Sequence, residues 1–132
     1  MKKFTAVVLA FALLAAACGD DDAADPASIT TCEGAADATI TLLQDVIDII
    51  GGLDPEALGA LMAGEMPDSF TALEADAAVI GQKAEELACD NLPALLTERA
   101  DQLTAADDNA IGQLIIQGVV DGDEDVIGRL FR

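Results

Sequence analysis

The chain has no histidine, tryptophan or tyrosine, only four phenylalanines, and six cationic side chains against 25 aspartates and glutamates in 132 residues. Each shortage removes a class of function. Without histidine, the commonest general base, the commonest metal ligand and the middle member of the usual nucleophilic triads are missing. Without tryptophan or tyrosine the usual stacking platforms for bases and sugars are gone. A formal charge of −19 repels a phosphate backbone. Nucleic-acid binding is therefore excluded, and any chemistry is left to carboxylates and thiols. Long apolar runs are scarce too: the one at the front, through Ala17, is about 14 residues, short of the roughly 20 that a helix needs to span a bilayer.

What is present begins with that run. Met1-Lys2-Lys3 is a cationic start, Phe4 to Leu14 is an apolar segment, and Ala15-Ala16-Ala17-Cys18 is a run of small residues ending in cysteine. This order is that of an export signal. The Ala-Ala-Cys end, followed by Gly19 and acid, resembles the lipobox of bacterial lipoproteins, with Ala15 standing where that class prefers leucine. The resemblance covers the first 20 or so residues and implies transfer of diacylglycerol to the Cys18 thiol and cleavage just before it. Secretion with cleavage after Ala17 is the alternative. Two acyl chains on one cysteine suffice for stable anchoring.

The cysteine count fits lipidation. Of Cys18, Cys32 and Cys89, simple secretion would leave one thiol unpaired in an oxidising space. Modification of Cys18 leaves Cys32 and Cys89 to form one disulfide. A mature chain starting at Cys18 keeps 115 of the 132 residues and four cations, Lys83, Arg99, Arg129 and Arg132, so its charge falls to −21. About 48% of it is hydrophobic, an ordinary globular fraction. Its length suits one domain with a modest core.

Residues 18–27 hold the lipidated cysteine and a spacer with four carboxylates and no large apolar side chain, expected to stay extended. Residues 28–132 are expected to form an acidic, all-α bundle of about four to six helices. The first helix is predicted over Ser28–Ile50, with Cys32, Ala36, Ile40, Leu43, Ile47 and Ile50 on a core face and Glu33, Asp37, Thr41, Gln44 and Asp48 facing water. Asp54-Pro55-Glu56 starts a short helix reaching Met62 or Ala63. A second long helix follows Pro67, its seam running Phe70, Leu73, Ala77, Ile80, Ala84 and Leu87. Asp90-Asn91 and Pro93 open a fourth helix. Thr104 to Asp108 is a turn leading to a helix with Ile111, Leu114, Ile115 and Gly118 turned inward. Val126, Ile127, Leu130 and Phe131 suggest a last short helix. If the two long helices are antiparallel, Cys32 and Cys89 meet.

Each acidic cluster has its own reading. Asp121, Asp123 and Asp125 alternate as at the start of a calcium loop, but the sixth and twelfth positions, where such a loop needs glycine and glutamate, are Val126 and Arg132. A turn and helix N-terminus explain them, and no metal site or cofactor is assigned. Glu85 and Glu86 read as solvated, with Lys83 too close in sequence to offset both. The absence of histidine leaves no catalytic residue to name. The expected function is a membrane-anchored, extracytoplasmic, non-enzymatic interaction module for a cationic protein, peptide or envelope partner. The alternative is a small carrier of a lipid or other apolar ligand, followed by a carboxylate-based hydrolase or calcium binder. Gly59, Gly81, Gly112 and Gly128 fall inside predicted helices, where they serve close packing or a ligand entrance.

Overall fold

The computed structural model describes residues 25–123 and residue 125. Cys18, the signal segment, most of the spacer and the last helix expected around Val126–Phe131 lie outside the described residues. Five α-helices are present among the described residues, with no strand: α1 (Cys32–Gly52), α2 (Pro55–Met62), α3 (Asp68–Glu86), α4 (Leu92–Glu98) and α5 (Ala110–Val120). Short 3-10 turns occupy Pro26–Ser28 and Ala100–Gln102.

α1 starts four residues later than its periodicity suggested. Ile29, Thr30 and Thr31 are all β-branched and favour extended backbone. Thr31 is extended and caps the helix by accepting the Gly34 N–H at 3.0 Å. Upstream, the Asp25 side chain closes the 3-10 turn by accepting from the Ala27 N–H, so Pro26 and Ala27, the last residues of the expected spacer, are folded. Ile29 follows as a hook, buried against α1 and α3.

α1 is the central element, and it is buried on two sides rather than one. Ala36, Ile40, Leu43 and Ile47 pack against Leu96 of α4, Ala100 and Leu103 behind it, and Val119 of α5. Ala35, Ala38 and Leu42 pack on the other side against Ala77 and Ile80 of α3. The predicted division into one core face and one wet face is corrected accordingly: water keeps a strip through Glu33, Asp37, Thr41, Asp45 and Asp48. Small side chains make the second face possible, because three alanines let neighbouring backbones approach. Thr39, fully buried, turns its hydroxyl onto the Ala35 carbonyl and so leaves no unpaired donor.

α3 lies antiparallel to α1 with its predicted seam inward, Ala77 and Ile80 buried and Leu73, Ala84 and Leu87 packed beside them. The helix ends meet as expected, and Cys32 and Cys89 are bonded with their Cα atoms 5.5 Å apart. α3 stops in a turn in which the Cys89 N–H donates to the Ala84 carbonyl. The residue at its left-handed position is Ala88, at φ 53°, where glycine is the usual choice.

In α5 Gly112, Gly118 and Val119 are buried with Ile115 and Ile116 half-buried beside them, so Ile115 and Gly118 turn inward as expected, while Leu114 is 70% exposed, contrary to expectation. The reason is a close crossing. A Cβ on Gly112 would lie 2.9 Å from Cγ2 of Ile47, so the helix turns its glycine, and not its leucine, toward α1. No helix among the described residues is long and apolar enough to cross a membrane.

Candidate functional site

The α4–α5 flank is fastened to α1 by side chains whose partners lie about 60 residues away. Gln44 forms a two-point clasp with the backbone of Thr104, its Nε2 donating to the carbonyl at 3.0 Å and its Oε1 accepting the N–H at 2.8 Å. Buried Asn109 caps α5 by accepting the Gly112 N–H and donates Nδ2 to the Ile47 carbonyl of α1, each at 2.9 Å. That amide occupies the space a side chain would need at two glycines: a Cβ would come to 2.6 Å from Nδ2 at Gly112 and to 3.0 Å at Gly51. Thr97 offers its hydroxyl to the carbonyls of Pro93 and Val119, tying α4 to the end of α5. Arg99 reaches back across α4 to pair with Asp37 of α1.

Beside Asn109 is an open groove of about 230 Å³. Ile50, Gly51 and Leu53 from the end of α1, Leu58 of α2, and Ala110 and Ile111 of α5 form it, with Asp108 at its edge. α2 has a complete start, Pro55 at its first position and Asp54 accepting the Ala57 N–H at 2.7 Å, yet it contains no buried residue. Met62 at its end is 81% exposed, and Met66 in the following loop 61%. A more open depression of about 350 Å³ lies on the other side of Asn109, between Ile47, Gly51 and Thr104. Another, of about 400 Å³, lies over the disulfide beside Ala84 and Asp90.

The charged groups are arranged as follows. A narrow cleft of about 40 Å³ between Pro26, α1 and α3 carries Asp45 and Asp76. Partial burial raises the Asp45 carboxyl above its ordinary value, helped by the negative charges of Asp48 and Asp76. Glu85 and Glu86 are both exposed, and Lys83 pairs with one of them, Glu86, at 3.1 Å. Together with Gln82 it holds the Glu86 carboxyl below its ordinary value. Asp121 accepts from the Gln117 side chain, and Asp123 accepts the Asp125 N–H. These local bonds fit the turn reading of the three acids, and among the described residues no group of three or more His, Cys, Asp or Glu is placed to hold a metal ion. Cys32 and Cys89 are spent in the disulfide; Cys18 lies outside the described residues.

Gln44 and Asn109 were missed by sequence reasoning. The only signal was a polar residue at a helix start in one case and on a wet-looking face in the other. Compared with known proteins, the chain matches no family model, no curated protein and no solved structure.

Proposed function

We propose that this chain is a lipoprotein anchored through Cys18 on the extracytoplasmic face of a cell membrane. Its bundle serves there as a non-enzymatic interaction module for a cationic protein, peptide or envelope component. The state of the charges carries this reading. Of the 25 acidic residues, 21 lie among the described residues, and all 21 are exposed. Only two cations lie among them, Lys83 and Arg99, and each is already paired with an acid. Nineteen of those 21 carboxylates thus have no ion-pair partner among the described residues. Such a surface draws cations across a Debye length of about 8 Å and speeds their encounter. The clefts at Asn109 and at the disulfide are open, whereas a carrier encloses most of its ligand. This favours interaction over carriage.

Two measurements test the two halves of the proposal. Expressed in a lipoprotein-processing host, the protein should show an intact mass corresponding to a chain starting at a diacylglyceryl Cys18; a free Cys18 thiol would remove the anchor. A lysine-rich peptide should be retained at low salt and released by about 0.5 M salt. No retention at low salt would overturn the interaction module.

A further inference from the structure

Resting on the reading of an acidic interaction module, we infer that the groove between the C-terminal end of α1, α2 and the first half of α5 receives an amphipathic helix of the partner. That helix carries lysine or arginine beside its apolar face.

α2 is the first reason. Its cap and proline keep it helical, but none of its side chains is fully buried, Leu58 and Leu61 being only half-covered. Helices of eight residues owe most of their stability to packing, so a folded helix with an open apolar side is surface awaiting a cover. The second reason is the continuity of that side. Met62 lies one turn beyond Leu58, and Leu114 one turn beyond Ala110, so helical spacing sets each of these exposed side chains next to a residue that lines the groove. A strip of this kind matches the i, i+3, i+4, i+7 anchors of a helix laid in a groove, and methionine adapts to the shape of what it meets.

Charge selects the occupant. Asp108 lines the groove, Asp107 adjoins it, and Asp54 stands between Leu53 and α2. Lys83 and Arg99 are held by Glu86 and Asp37. A second copy of this chain would bring the same acid to the contact, and an anionic bilayer would be repelled. An acyl chain would remain half in water in an open groove of about 230 Å³. A cationic amphipathic helix satisfies the apolar floor and the acidic rim together.

The probe is a synthetic peptide of leucine and lysine with its leucines at helical spacing, compared with a scrambled peptide of the same composition. Both are titrated against the full chain, disulfide intact, at physiological salt. The patterned peptide should bind about tenfold more tightly than the scrambled one. Met62→Ser combined with Leu114→Ser should abolish that preference while leaving the scrambled peptide's affinity and the melting temperature unchanged. Equal binding of the two peptides, or a preference that survives the double substitution, would overturn the groove and leave the acidic module standing. If neither peptide binds at physiological salt the groove falls, and if neither binds when the titration is repeated at low salt the acidic module falls with it.

Discussion

α3 and α5 both pack along α1, but they are fastened to it by opposite means. The α3 flank sets three alanines among Ile29, Leu42 and Ile80 and adds one covalent bond, Cys32–Cys89, and the polar contacts of α3 there are local ones such as Lys83 to Glu86. The α4–α5 flank packs Leu43, Ile47, Leu96 and Val119 without a covalent bond and is overlaid by the Gln44, Asn109 and Arg99 clasps. A disulfide acts mainly by restricting the unfolded chain, whereas clasps act in the native state, by holding one geometry through hydrogen bonds, of which those of Asn109 are buried. The two flanks should therefore fail under different perturbations, and four measurements can separate them.

The largest effect belongs to the covalent bond. Reduction, or Cys32→Ser with Cys89→Ser, opens a loop spanning 57 residues in sequence separation and should cost about 4 kcal/mol. In hydrogen exchange, α3 amides should lose protection before those of α5. An unchanged melt in reductant would contradict this account. Next comes Asn109→Ala, which strips the α5 cap and leaves the contact with the Ile47 carbonyl unmade. We expect a loss of about 2 kcal/mol, with early exchange now in α5. If α3 opened first in this variant as well, the division between the flanks would be broken.

A gain is expected from Ala88→Gly. Its left-handed backbone costs a non-glycine residue about 1 kcal/mol, and relief of that cost should raise the melting temperature by a few degrees with the disulfide intact. The smallest effect is electrostatic. Because Asp45 titrates above its ordinary value in the fold, ionising it opposes folding, and that penalty grows as pH rises through the usual carboxylate range. Asp45→Asn should therefore melt slightly higher than the parent at pH 7, and the difference should vanish near about pH 3. A difference that persisted in acid would assign the effect to packing instead.

The features legible in the sequence share a physical character. The α3 seam and the disulfide follow from local periodicity and a cysteine count, since Leu73, Ala77, Ile80 and Ala84 announce a face by themselves and two helix ends confine two thiols. Gly122 stops α5 for an equally local reason, adopting φ 66° after the helix. The second face of α1 was hidden because Ala35, Ala38 and Leu42 lie off the three-and-four-residue steps that mark the first face, and two of the three are small side chains that signal little by themselves. Leu114 was placed inward because hydrophobicity favoured it, whereas the close crossing is made by Gly112, one of the glycines for which close packing was a reading. The clasps were illegible because Gln44 and Asn109 bond to backbone groups about 60 residues away. The candidate groove takes its walls from three helices, so no single stretch of chain announces it.

The bond between Cys32 and Cys89 also determines how the molecule bears tension. A pull applied on either side of the loop passes from one sulfur to the other and bypasses α1, α2 and α3, withholding about 190 Å of contour length from extension. α4 and α5 lie outside that bypass. Stretching therefore acts first by peeling α5 from α1, at the Asn109 clasp, and one wall of the groove departs while the stapled wall stays intact.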